Sequence, residues 1–227
     1  MPLPALIRTD FQGSLILNWQ TERVDQYINE YYSQVVRECV GDTAYIKILA
    51  ETATKWDDLF TGGSYYNTNL DREMLISGLT YAVKNFIWAI FNGDNFVPTN
   101  AGKKKPLGEN SERLSDAANT MAVRSRYNKG AIEMLQILCY IDSYKDFEQD
   151  ITSVTDNGGG SYTIVTDETK YLANGDTVKI DGASLVVANL VNGVSFDVTS
   201  SIALDGAETY ISNPYKDVVV GNLRLMI

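Results

Sequence analysis

Histidine is absent from this chain, and cysteine occurs only as Cys39 and Cys139. Without an imidazole there is no Ser-His-Asp triad, no Cys-His dyad, no HExxH zinc site and no ordinary histidine acid–base chemistry. Two cysteines do not make a disulfide scaffold, so nothing points to an oxidising compartment. Each sits in a predicted helix on or near its apolar face, which favours buried reduced thiols and leaves a bridge or a reactive thiol as the alternative. Basic residues are few: 19 Lys and Arg stand against 29 Asp and Glu, for a net charge of −10. The deficit holds on both sides of Gln149, with 15 basic and 19 acidic residues up to it and 4 and 10 beyond it. Such a chain is a poor candidate for wrapping duplex DNA, which requires clustered cations, although an acidic wall suits DNA that slides past. Long uninterrupted apolar runs are lacking too. Leu70–Phe91 is broken by Arg72, Glu73 and Lys84, so no membrane span is expected, and the first thirteen residues have neither the charged start nor the apolar run of a signal peptide.

What is present belongs to a folded protein: 44% hydrophobic and 21% charged residues over a length that holds one large domain or two small ones. Residues 1–20 read as an irregular arm in which Leu15, Leu17 and Trp19 are apolar enough to dock on a neighbour. A helix is predicted from Thr21 to about Val40, striped by Val24, Ile28, Val35 and Cys39 and stopped by Gly41. A shorter helix over Ala44–Thr54 follows, then Trp56 and Leu59 on one side of a short segment ending at the Gly62-Gly63 turn. The aromatics of that segment are expected to form an apolar lid. The organising feature is a helical hairpin. Its first helix is predicted over Leu70–Phe91, capped by Asn69 or Asp71, with Leu75, Leu79, Val83, Phe86, Ile87 and Ile90 at steps of three and four. Gly78 inside it implies a close helix–helix crossing. The second helix, Asn110–Asp142, repeats the pattern through Leu114, Ala117, Met121, Arg124, Asn128, Ile132, Leu135 and Cys139. Pro98, Gly102, Pro106 and Gly108 predict an irregular loop over Asp94–Gly108 that carries Lys103, Lys104 and Lys105. Arg113, Arg124, Arg126 and Lys129 give the second helix a basic flank.

Near Gln149 the pattern changes from helical to extended. Val178/Ile180, Leu185/Val187 and Phe196/Val198 alternate with polar neighbours, and glycine-containing turns fall at Asp156–Gly160, Asn174-Gly175, Asp181-Gly182, Asn192-Gly193 and Asp205-Gly206. The expected class is α+β in two domains: a helical bundle over residues 21–149, then a small antiparallel β-barrel or sandwich over residues 150–213. The tail 214–227, apolar at Val218, Val220, Leu223 and Leu225, is expected to return to the helical domain or to dock on a neighbouring subunit.

Candidate chemistry is sparse. Gly158-Gly159-Gly160 lies between strands without GxGxxG spacing and reads as a hairpin turn. Ala101-Gly102-Lys103-Lys104 lacks the earlier glycine and the following hydroxyl of a phosphate-binding loop. Asp57-Asp58 and Asp167-Glu168 lack the register of a calcium loop, and no carboxylate pair is singled out for glycoside hydrolysis. The expectation is no enzyme, no cofactor and no metal.

Two stretches resemble known families. The run from Trp56 to Gly108, containing WDDLFTGGSYY, GLTYAVKNFIWAIF and VPTNAGKKK, followed by NSERLS, is similar to the head–tail connector proteins of tailed bacteriophages, with the nearest likeness in crAss-like phages. Residues 151–198, with the core Gly175-Asp176-Thr177-Val178-Lys179-Ile180, resemble a small β-barrel module of phage virion proteins, related in pattern to the inserted half-domain of ubiquitin-activating enzymes. After Gly182 the usual YNG stretch is replaced by Ala183-Ser184-Leu185. The first resemblance implies a structural protein that forms a ring in the virion neck, made in the bacterial cytoplasm, with about twelve copies matching the portal. Its partners would be the portal protein, other neck or tail proteins and, transiently, packaged double-stranded DNA, with no membrane. Lys103, Lys104, Lys105, Arg124 and Arg126 become candidate partner or DNA-channel contacts. Leu15, Leu17, Trp19, Val218, Val220, Leu223 and Leu225 become candidate subunit contacts. The alternative is a virion-associated binding module, an adhesin or carbohydrate binder, using Tyr162, Tyr171 and Tyr210.

Overall fold

A computed structural model describes residues 3, 7, 11, 21–50, 55–67, 70–94, 97–99, 102–104 and 116–220. Helix α1, Thr21–Val40, ends where Gly41 takes φ +83° and its amide donates to the Arg37 carbonyl. Helix α2, Asp42–Ala50, starts at once, two residues earlier than its sequence implied. Helix α3, Lys55–Thr61, buries Trp56, Leu59 and Phe60.

The next segment departs from expectation. Strands β1, Gly63–Asn67, and β2, Arg72–Ile76, pair antiparallel with Gly63 opposite Ile76, and only then does α4 run from Leu79 to Asp94. The expected helix start at Asn69 or Asp71 is therefore corrected to Leu79. Asp71 sits in the β1–β2 turn at φ +51°, and Leu75, counted in the helical stripe, is 69% exposed on the strand. Before Leu79 the expected stripe rests on Leu75 alone, too little to fix a period, and the ladder with β1 decides. Gly78 does not mark a helix crossing. It lies at the strand-to-helix junction at φ +86°, where an added Cβ would fall 2.4 Å from the Phe60 carbonyl oxygen. The crossing glycine is Gly130, whose Cβ would meet the Phe86 ring at 2.8 Å and the Ala82 carbonyl at 3.0 Å.

Residues 97–104 are not irregular throughout: β3, Val97–Thr99, pairs with β4, Gly102–Lys104, placing Pro98 opposite Lys103. Helix α5 is described from Asp116 to Ser143 and packs antiparallel on α4, since Arg126 lies over Trp88 while Gly130 meets Ala82 and Phe86. Its inward face is Ala131, Met134, Ile137 and Tyr140. The expected stripe is turned outward instead, with Met121, Arg124, Ile132, Leu135 and Cys139 exposed. α1 and α5 both pack on α4, which is buried on most of its circumference through Leu79, Ala82, Val83, Phe86, Ile87, Trp88 and Phe91.

Extended structure begins at Phe147, slightly before the expected border. Strands β5 (Phe147–Asp150), β6 (Ser153–Gly158), β7 (Ser161–Val165), β8 (Thr177–Ile180), β9 (Ala183–Val186), β10 (Ala188–Val191), β11 (Ser195–Thr199) and β12 (Thr209–Ser212) form two four-stranded antiparallel sheets. Their orders are β10-β11-β7-β6 and β5-β12-β8-β9, so they make two sheets face to face and no closed barrel. Ile164, Phe196 and Val198 from one sheet meet Val178, Ile180, Leu185 and Tyr210 from the other in a single buried cluster. Asp181 and Gly182, at φ +48° and +80°, supply the two left-handed positions of the tight β8–β9 turn. Chemistry and period agree here, and the expected alternating pairs are all buried. The fold is mixed helix and antiparallel sheet, with an apolar cluster among the helices and another between the sheets. No described helix is long and apolar enough to cross a membrane.

Candidate functional site

The densest polar chemistry lies where the helices meet the sheets. Lys55, the first residue of α3, is 1% exposed, and its Nζ lies 2.6 Å from Oδ2 of Asp176. That aspartate belongs to the Gly-Asp-x-Val-x-Ile stretch, and its Oδ2 also accepts the Ala173 amide at 2.9 Å. Lys47 of α2 reaches Asp176 at 3.7 Å and pairs with Asp217 at 2.7 Å. A second layer is aromatic. The Tyr215 hydroxyl donates to the Lys55 carbonyl at 2.9 Å and shares a hydrogen bond with the Tyr140 hydroxyl at 2.9 Å. The Tyr171 hydroxyl donates to Asp58, which Lys170 meets at 2.6 Å. The rings of Tyr144, Phe147 and Tyr171 meet in tilted and edge-to-face contacts with centroids 5.0–5.1 Å apart.

Burial raises the phenol pKa of Tyr140, Tyr171 and Tyr215, because a phenolate there would lose its water and face neighbouring hydroxyls and Asp58. These groups stay protonated at neutral pH and act as neutral hydrogen-bond partners. The arrangement is thus a clamp: a buried ion pair and a tyrosine cluster that hold the helices against the sheets. Its aspartate lies within a stretch that sequence singles out, but sequence could not show that Lys55, 121 positions away, is its partner. Among the described residues no cluster of three or more acidic, cysteine or histidine side chains could hold a metal.

Of the residues singled out from sequence, Lys103 and Lys104 lie on β4, and Lys105 lies outside the described residues. Arg124 is exposed on α5, whereas Arg126 is partly covered, its guanidinium 5.1 Å from the Trp88 ring centre. Val218 and Val220 pack against the helical core of their own chain, with the Val219 amide donating to the Val40 carbonyl at 2.9 Å. Leu15, Leu17, Trp19, Leu223 and Leu225 lie outside the described residues. Cys39 is buried as expected, in an apolar groove of about 370 Å³ between α1, α4 and α5, and burial pushes its thiol up to about 12. Cys139 is exposed, against expectation, because α5 presents its other face to the core. The three tyrosines of the binding-module alternative are not a surface platform: Tyr162 and Tyr210 are core residues between the sheets, and Tyr171 belongs to the clamp.

Sequence reasoning missed the exposed apolar surface. Ile46 and Leu49 of α2, at 65% and 47%, face solvent. So do Tyr66, Leu70 and Leu75 around the β1–β2 hairpin. No family model, curated protein or solved structure matches the chain.

Proposed function

We propose that the chain is a structural subunit of the head–tail connector of a tailed phage, closing into a ring that joins portal to tail and extends the DNA channel. One observation carries this reading: two different exposed apolar faces, one on α2 and one on the β1–β2 hairpin. Ile46 and Leu49 belong to α2, which packs on α1, while Tyr66, Leu70 and Leu75 belong to the hairpin that packs on α5. A ring that closes by rotation needs two unlike faces on each subunit, one for each neighbour. Large side chains grouped in this way mark interaction surfaces more than scattered ones do. The clamp supports the same reading, since a subunit that carries load through a neck needs its two modules joined.

In this proposal about twelve copies surround the channel, a number taken from the resemblance. The portal lies on one side and other neck or tail proteins on the other, within the virion. The β3–β4 hairpin with Lys103 and Lys104, the adjacent Lys105 and the exposed Arg124 meet an acidic partner surface or, transiently, passing DNA. Leu15, Leu17, Trp19, Leu223 and Leu225 serve as further subunit contacts. The work is mechanical, without cofactor or catalysis. The test is electron microscopy and native mass measurement of the purified chain mixed with portal. A ring on the portal is expected, and Ile46→Asp and Leu75→Asp should each reduce it. A chain that stays monomeric at high concentration with portal present overturns the proposal.

A further inference from the structure

Helix α5 is buried along one face and apolar along the opposite one. Ala131, Met134 and Ile137 point into the core, whereas Met121, Ile132 and Leu135 are 70%, 48% and 48% exposed, and Cys139 is exposed beside them. Met121, Ser125, Asn128, Ile132, Leu135 and Cys139 follow one another at alternating steps of four and three. That is a seven-residue repeat, the spacing by which one helix inserts its side chains between those of another. Ser125 and Asn128 are the polar positions of this seam, and a polar residue at such a position sets the register of a pair. Charge runs unevenly along the seam. Arg124 and Lys129 flank its first half, and the exposed Asp142 continues the repeat at its far end. A parallel partner of the same kind would set like charges side by side; an antiparallel one sets Arg124 against Asp142 at both ends. The outward residues of α1, including Gln26, Asn29, Glu30, Ser33 and Gln34, offer no apolar seam. α2, with Ile46 and Leu49 exposed, is only 9 residues long and too short for the repeat, so among the described helices the one with a matching face is α5 itself.

We propose that α5 pairs antiparallel with α5 of a second copy of this chain, about a two-fold axis between Ile132 and Leu135. In that register Ile132 meets Leu135 of the second copy, Asn128 meets Cys139, and Ser125 meets Asp142, with Arg124 within reach of that carboxylate. The pairing is two-fold and does not rest on the ring reading, whose head-to-tail contacts use the faces on α2 and the β1–β2 hairpin. Where α5 is paired, Arg124 serves the pairing, and Lys103, Lys104 and Lys105 alone are left for the acidic partner or DNA.

The register places Asn128 opposite a native thiol, which gives the test. Asn128→Cys in the full chain should form a disulfide with Cys139 of the second copy under mild oxidation. The product should stop at two chains and vanish when Cys139→Ser is added. It should exceed by about tenfold that of an exposed control, Glu30→Cys on α1. Cys39 is buried and does not compete. Leu135→Asp, at an exposed site that leaves the core intact, should weaken self-association by about tenfold or more in sedimentation equilibrium. A covalent ladder extending past two chains, a yield no greater than the control, or self-association unmoved by Leu135→Asp overturns the proposal. Loss of ring assembly on the portal with the disulfide pair retained removes the ring reading and leaves this one standing.

Discussion

Replacing Lys55 by methionine should cost a large share of the stability of this protein, and replacing its partner as well should cost much less than two separate losses. The ammonium lies 2.6 Å from Asp176, with side-chain exposures of 1% and 8%. Removing two such ions from water is expensive, and their attraction offsets the cost only while both are present. Methionine preserves the stem that runs past Trp56, so the change is chiefly one of charge. It leaves a buried carboxylate supported by the Ala173 amide at 2.9 Å and by Lys47 at 3.7 Å. Breaking a buried pair costs about 3–5 kcal/mol, and those remaining contacts put Lys55→Met near the lower end, about 3 kcal/mol. Asp176→Asn keeps an oxygen for the Ala173 amide but leaves the lysine charge facing a neutral group, again about 3 kcal/mol. The double variant carries no unpaired charge and should lose about 2 kcal/mol, so the coupling is several kcal/mol. Urea unfolding at neutral pH, followed by far-UV circular dichroism and tryptophan fluorescence, measures all four free energies by linear extrapolation. Single effects below about 0.5 kcal/mol, or a double effect equal to their sum, would refute the clamp.

Three further outcomes follow from the packing. Glu133 of α5 is buried, and its Oε1 accepts the amides of Ser77 and Gly78 at 2.6 and 3.0 Å, just before α4. Glu133→Ala should therefore lose about 2–3 kcal/mol in the same unfolding assay, with Glu133→Gln recovering some of it; equal losses from both would argue against a charge-assisted cap. Gly130→Ala should lower the thermal midpoint despite a helix-propensity gain of about 1 kcal/mol, because the new methyl overlaps Phe86 and Ala82, at a cost of about 1–3 kcal/mol. A raised midpoint would show that the crossing has slack. The third concerns alkali. Tyr140, Tyr210 and Tyr215 have folded pKa values raised by burial above the ordinary value of 10. Above that value the unfolded chain releases these protons while the folded chain keeps them, so stability is full below pH 10 and falls as pH rises. Each tyrosine contributes a slope of up to about 1.4 kcal/mol per pH unit. Urea midpoints measured between pH 8 and 11 check this, and a flat profile would mean that the tyrosines are hydrated.

The β module was legible because its signals reinforce one another. Val178, Ile180, Phe196 and Val198 alternate strictly, and the Asp181-Gly182 turn demands the backbone it adopts. Among the helices a single signal had to decide two questions. Steps of three and four correctly marked α5 as a helix, but they do not say which face goes inward when two faces are apolar. Ala131, Met134 and Ile137 compete with Met121, Ile132 and Leu135, and Gly130, which allows α4 to approach closely, settles the choice. Leu70–Phe91 failed for a related reason: its first third suits a strand as well as a helix, and the nearby Gly63–Asn67 supplied the strand partner.

Composition and local pattern by themselves determined the absence of histidine chemistry, the acidic balance, the existence of the long helices and of a strand-rich second module, and the positions of the tight turns. These depend on side-chain chemistry and on periods of two or 3.6 residues, which short windows of chain contain. Only the tertiary structure decided that Lys55 and Asp176 form a buried pair, that four tyrosines gather between the modules, and that the apolar stripe of α5 faces outward. Each of these is a meeting of residues far apart in the chain, or a choice between two faces of one helix. Their energies come from neighbours that no local window contains.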